Sequence, residues 1–191
     1  MITIQPSETA DTRTCDFANV DKATLLASSV QHIGDVGQAL AFFGALLTAA
    51  AVRHDTDKLT DIDGFHADFV TGFAQTGWWD RHRRMNRHHL TQDDGIPEDV
   101  NLIDVLDYIA DCTMAGMARS GSVSPLHLSP ELLERAFQNT AALLKAQIVV
   151  ERLCGIRDES TGAVCQLPAG HSQNHRGETP HTIAQWTRED R

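Results

Sequence analysis

Histidine and aspartate recur along the first two-thirds of the chain in a pattern suited to holding a divalent metal. The series starts at His32 and continues as His54-Asp55-Thr56-Asp57-Lys58. It then includes His82, His88 and His89, and closes with Asp104, Asp107 and Asp111. Imidazole nitrogens and carboxylate oxygens are the ligands that divalent transition metals share most readily. A metal held in this way turns water into a nucleophile near neutral pH. A second set lies near the C-terminal end, where Cys154, Cys165, His171 and His175 form C-x10-C-x5-H-x3-H. Two thiolates and two imidazoles suit tetrahedral zinc, and His181 is an alternative to either histidine. Cys15 and Cys112 fit neither group and read as buried thiols.

The elements that must position these residues read as helical. Over 23–52, Leu26, Val30, Ile33, Val36, Leu40, Phe43, Leu47 and Ala50 follow a helical period. A single straight helix would hold His32 and His54 roughly 33 Å apart. A shared metal therefore requires a turn between them, with Gly44 as the expected breaker. Further helices are expected over 62–73 and from about 77 through 89. The latter would put His82 and His89, seven residues apart, on one face and turn His88 away. Residues 93–97 read as a turn that starts a helix over 98–119, with Pro97 near its first position.

On that helix Asp104, Asp107 and Asp111 fall within about 60° of one another, among Ile103, Val105, Leu106, Ile109 and Ala110. A buried helix with one acidic stripe needs something positive opposite it. Residues 120–124 form a Gly/Ser loop. Ser129-Pro130-Glu131 then caps a final helix reaching about 153. No strand pattern of comparable strength precedes residue 150, so the core is expected to be all-α. The expected organisation is a flexible lead-in over 1–20, a helical domain over 21–151 and a small zinc-binding tail over 152–191. Within the tail, residues 158–162 form a turn that folds back a short hairpin. So short a segment has too little core to fold without a metal.

Composition narrows the function classes. At 41% hydrophobic the chain can bury a core, and its net charge of −10 gives no basic footprint for duplex nucleic acid. A phosphate-rich substrate would rely on metal ions or on Lys58, Arg81, Arg83, Arg84 and Arg87. No uninterrupted apolar run of about 18 residues suggests a membrane span. The polar start carries no recognisable export signal, so the four cysteines read as reduced thiols or ligands in a cytoplasmic protein. Asp57, Asp61 and Asp63 read as solvated acids in a turn, and Trp78 and Trp79 as core anchors.

The ordered set His32, His54-Asp55, Lys58 and Asp111 resembles the HD-domain phosphohydrolase superfamily over roughly residues 25–120. The run Trp79, His82, Asn86, His88-His89 and Val100-Asn101-Leu102-Ile103-Asp104 is similar to phage-encoded HD-like proteins of unassigned activity. The resemblance implies an HD-domain-like helical bundle in which His32, His54, Asp55 and Asp111 ligate a first metal. It implies a second metal on His82 with His88 or His89, and a Lys58 that neutralises phosphate charge. Asp55, Lys58 and Asp107 are the candidate catalytic side chains. Asp104 and Asp107 would orient ligand histidines or face substrate, and Asp107 is the rival to Asp111 for closing the site. The C-terminal segment resembles small zinc-binding tails of actinobacterial and phage proteins.

The function this implies is metal-dependent hydrolysis of a nucleotide or related phosphate ester, using Mn, Fe, Co, Ni or Zn in the helical domain and Zn in the tail. One rival is a non-enzymatic, metal-stabilised helical protein that binds a host or phage protein through its zinc tail. Nucleic-acid binding by the tail ranks last, because Arg152, Arg157, Arg176, Arg188 and Arg191 are offset by Asp158, Glu159, Glu178, Glu189 and Asp190. The long final helix also offers a face to a second copy of the chain.

Overall fold

The structure is a computed structural model and describes residues 1–6, 10–93, 95–170, 172, 174–178 and 183–186. The chain is predominantly helical. Its longest element, α1 (Lys22–Arg53), starts where the Asp21 carboxylate accepts hydrogen bonds from the N–H groups of Ala23 and Thr24. This capping supplies partners for donors that the first helical turn leaves open. The helix runs through Gly44 without a break. One glycine costs about 1 kcal/mol relative to alanine, which a helix this rich in alanine and leucine absorbs. The turn expected at Gly44 is therefore absent.

After α1 come α2 (Thr56–Thr60), α3 (Ile62–Phe69) and α4 (Trp78–Met85). The α3 helix stops before residue 73, because Gly72 and Phe73 both take positive φ, 68° and 63°. The Asp68 carboxylate holds the connection to α4 by accepting from the N–H groups of Thr76 and Trp79, each at 2.9 Å. The expected helix over 77–89 also ends early, at Met85, where Asn86 turns extended.

Helix α5 (Leu102–Ser120) begins later than the proline suggested. Asn101 accepts from the N–H groups of Ile103 and Asp104, and the Asp104 carboxylate accepts from the Asn101 N–H. This reciprocal capping box fixes the start, leaving Pro97 outside the helix. Gly121, at φ 66°, ends α5 in the left-handed region where a side chain is penalised. As expected, Ser129 caps the next helix, α6 (Pro130–Lys145). It stops well short of 153 because the β-branched run Ile148-Val149-Val150 favours extended backbone. That run forms β2 (Ile148–Val150), which pairs in parallel with β1 (Ile2–Ile4), Thr3 opposite Val149. A strand thus stands where a loose lead-in was expected.

The chain divides into two compact units, residues 1–38 with 147–191, and residues 39–146. In the second unit Leu90, Val100, Val105, Leu132 and Ala136 form the buried core, with Ile96, Leu102, Tyr108 and Leu128 packed on it. Each fully buried leucine or valine contributes roughly 1.5–3 kcal/mol. Leu106 and Ile109 remain exposed, so α5 is not buried all round.

The first unit holds the β1–β2 pair and the cysteine-bearing segment. Arg157 pairs with Val164 across the 158–162 turn, and Leu153 with Pro168, giving the expected fold-back between the cysteines. Strand β3 (His175–Glu178) pairs antiparallel with β4 (Ile183–Trp186). A Cβ at Gly177 would stand 2.3 Å from the Val164 carbonyl oxygen, so only glycine lets β3 approach this closely.

Candidate metal centres

The end of α1 generates the first site. His54 donates its amide to the Ala50 carbonyl as the helix closes, and Asp55 then takes a left-handed conformation at φ 54°. Positive φ is uncommon outside glycine, although aspartate tolerates it better than most residues. The Asn86 side chain stabilises this bend by accepting from the Asp55 N–H at 3.1 Å. The bend aims the two Asp55 oxygens in different directions. Oδ2 meets Lys58 Nζ at 2.5 Å and lies 3.6 Å from His54 Nε2. Oδ1 lies 3.5 Å from His82 Nε2 and 3.5 Å from His88 Nε2.

Carboxylates orient two of these imidazoles from behind. His54 Nδ1 is 2.8 Å from Asp107 Oδ1, and His82 Nδ1 is 2.8 Å from Asp57 Oδ2. Asn86 donates to the other Asp57 oxygen at 3.0 Å. An imidazole whose Nδ1–H is donated to a carboxylate presents a lone pair at Nε2, the arrangement found behind metal-bound histidines. His54 Nε2 also lies 3.8 Å from Asp111 Oδ1.

The donor set fits a divalent cation. Separations of 3.5–3.8 Å are too long for hydrogen bonds. Ligands about 2.1 Å from one ion stand about 3.0–3.4 Å apart, so the cluster is only a few tenths of an ångström too open. Asp55 Oδ1, His82 Nε2 and His89 Nε2 are buried without a hydrogen-bond partner among the described residues. Buried polar atoms are otherwise almost always paired, and a cation would satisfy them. Two groupings that can hold an ion, His54–Asp55–His88 and His82–His88–His89, share His88.

Electrostatics favour cation binding too. Burial pushes the Asp55 carboxyl up, but the Lys58 ammonium, His54 and His88 outweigh it and hold the group below its usual range. Burial likewise raises Asp57, and its bonds to His82 and Asn86 more than compensate. Burial depresses both His88 and His89, the latter to about 4. Both imidazoles are thus neutral at pH 7, the form that ligates metal.

Several expectations are corrected. His32 does not join this site, because α1 runs unbroken from His32 to Arg53, and His54 follows its end, 22 residues after His32. Its Nδ1 lies 3.9 Å from Asp11 instead. His88 is only 3% exposed and faces Asp55. A helix through residue 89 would put His89 and not His88 beside His82, whereas both residues follow the end of α4 and both approach His82. Asp107 and Asp111 both reach His54, Asp107 at Nδ1 and Asp111 at Nε2.

Asp104, on the same stripe, instead binds Arg87 through both oxygens at 2.8 Å and caps α5. Asp57 is a half-buried partner of His82, not a solvated acid. Asp61 caps α3 and accepts from Trp78 Nε1 at 2.9 Å. Trp78 is buried and stacks on His82, as an anchor should. Asn86 was missed as a site residue. Its signal was its position four residues after His82, one helical turn away.

In the first unit Cys154, buried Cys165 and His175 bring their ligand atoms within 4.8 Å of one another, and Cys154 Sγ is 3.4 Å from His175 Nδ1. Sulfur and nitrogen ligands on one tetrahedral zinc stand about 3.5 Å apart. His171 and the alternative His181 lie outside the described residues. Cys15 and Cys112 are partly exposed rather than buried.

The chain matches no protein-family model, no curated protein and no solved structure.

Proposed function

We propose that the second unit is a metal-dependent phosphohydrolase of HD-domain type acting on a nucleotide or related phosphate ester. The observation that carries this reading is the split Asp55 carboxylate. One of its oxygens faces His54 and Lys58, and the other faces His82 and His88. His54, Asp55, His88 and Asp111 would hold a divalent ion, and His82 with His89 would extend the donor set toward a second. When bound, such an ion supplies Lewis acidity and an acidified water for attack on phosphorus.

The remaining roles belong to the chain itself. Asp107 and Asp57 hold the His54 and His82 rings so that their lone pairs converge. Lys58 neutralises Asp55 in the resting protein and places positive charge where phosphoryl oxygens would gather. Tight packing of Trp78 on His82 keeps bulk water from one side of the cluster.

The test is phosphate release from a nucleotide panel, paired with element-resolved metal content. Wild type is expected to turn over a nucleotide, and His54→Ala and Asp55→Ala to lose both turnover and helical-site metal with the fold retained. Full activity in both variants refutes the proposal. A second reading is a non-enzymatic protein whose zinc tail binds a protein partner. The Cys154–Cys165–His175 grouping favours it, and it predicts bound metal without turnover.

A further inference from the structure

Helix α1 bears a pattern that the metal site does not use. On a helical projection Ser28, Gln31 and Asp35 share one face. Ser28 on that face is buried, and Gln31 donates to the Gln5 carbonyl at 2.7 Å. The opposite face carries Leu26, Val30, Ile33, Gly37, Leu40, Gly44, Leu47 and Ala51. These positions alternate in steps of four and three, a repeat averaging 3.5 residues. That is the seam spacing of two helices wound around each other.

The seam has no partner among the described residues. Leu26, Val30, Ile33 and Leu40 are each between 62% and 69% exposed. Nothing lies within 4 Å of where a Cβ would stand on Gly37 or Gly44, so both leave hollows for a facing side chain. Charge is missing from the seam and from its flanking positions Ala27, Ser29, Gly34, Val36, Ala41, Phe43, Thr48 and Ala50.

We infer that this face is the interface of a homodimer in which α1 packs along α1 of a second copy. Three points select that occupant. A 3.5-residue repeat matches a facing helix, and Asp35 on the other face is costly inside a bilayer. Heterotypic helix partners are chosen by charges beside the seam, and none is present. A self-complementary apolar strip, by contrast, closes on its own copy by two-fold symmetry.

The area is comparable to the smallest specific interfaces. The seam runs about 39 Å along a helix about 11 Å wide, and a third of that circumference buried on each copy gives on the order of 1,000 Å² in total. That is the threshold for a specific interface. The inference does not depend on the phosphohydrolase reading.

The experiment is sedimentation equilibrium of the full chain from 5 to 100 μM (assay settings, roughly spanning micromolar dimers). The expected wild-type mass is twice 21.0 kDa. Ile33→Glu and Leu40→Glu are expected to weaken association at least 100-fold with unchanged helical circular dichroism, since both sites are solvent-exposed in the single chain. Met114→Glu, at an exposed position on α5, should remain dimeric. If the glutamate variants fail to fold, Leu40→Cys decides the matter. Position 40 lies near the seam centre and should give an inter-copy disulfide in either helix orientation, above the wild-type background. A monomeric wild type, a dimer that survives both glutamate changes, no cross-link at position 40, or binding to phosphatidylcholine vesicles in place of dimerisation overturns the inference.

Discussion

Asp104 and Asp107 lie three residues apart on one face of α5, yet they should respond to mutation in different ways. Asp107 Oδ1 bonds His54 Nδ1 at 2.8 Å. Asp107→Ala removes the group that fixes the tautomer and rotation of a ligand ring. Loss of such a supporting carboxylate costs about 10–100-fold in metal affinity, or about 1.4–2.8 kcal/mol. Fold stability should change less, because His54 is part-exposed and its Nδ1 can turn to water. Asp104 instead accepts from Arg87 Nε and Nη2 and from the Asn101 N–H. Asp104→Ala removes half of a capping box, costing about 1 kcal/mol, and leaves Arg87 without its main partner. It should therefore lower the melting temperature while leaving metal affinity within about two-fold of wild type. Manganese titration followed by electron paramagnetic resonance reads the helical site alone, because Mn²⁺ avoids thiolate ligands. Equal metal affinity in Asp107→Ala and wild type would refute the supporting role given to Asp107. Equal losses in the two variants would show that the stripe acts as undifferentiated negative charge.

Cys154→Ser with Cys165→Ser should remove one zinc per chain while manganese binding at the helical site persists, read by element-resolved mass spectrometry. Unchanged zinc would exclude the Cys154–Cys165–His175 grouping as the ligand set. Burial holds His89 at about 4, below the ordinary imidazole value of about 6.5, so between those values the unfolded chain takes up a proton that the folded chain refuses. Stability of the metal-free protein should therefore fall as pH drops from about 6.5 toward 4, with His88 shifted in the same direction. Thermal melts across that range check this, and a His89→Gln variant should show a shallower decline.

The sequence by itself determined the chemistry available and much of the local structure. Paired His54-Asp55, the later histidines and the two cysteines are covalent facts, and their residue types restrict them to metal or proton chemistry. Ser129-Pro130 read correctly as a helix start because capping is a local matter of one side chain and two amides. The 158–162 turn was legible for the same reason.

Only the tertiary structure decided which of these residues meet. Periodicity predicts a face but not its neighbour, so the acidic stripe of α5 could not reveal that Asp104 serves Arg87 while Asp107 serves His54. His88 was misjudged because a helical projection was extended past Met85. The chain stops being helical there, and Asn86 turns to hold Asp55 and Asp57 instead. His32 was grouped with His54 by the family resemblance, and a shared metal then required a break between them, for which Gly44 was the candidate. Whether one glycine breaks a helix depends on the propensity of every residue around it, and in α1 those residues keep the helix whole. The long-range contacts were beyond sequence reading because they bring together atoms from α2, α4, α5 and the connections after α1 and α4, and their positions are fixed by the packing of whole elements.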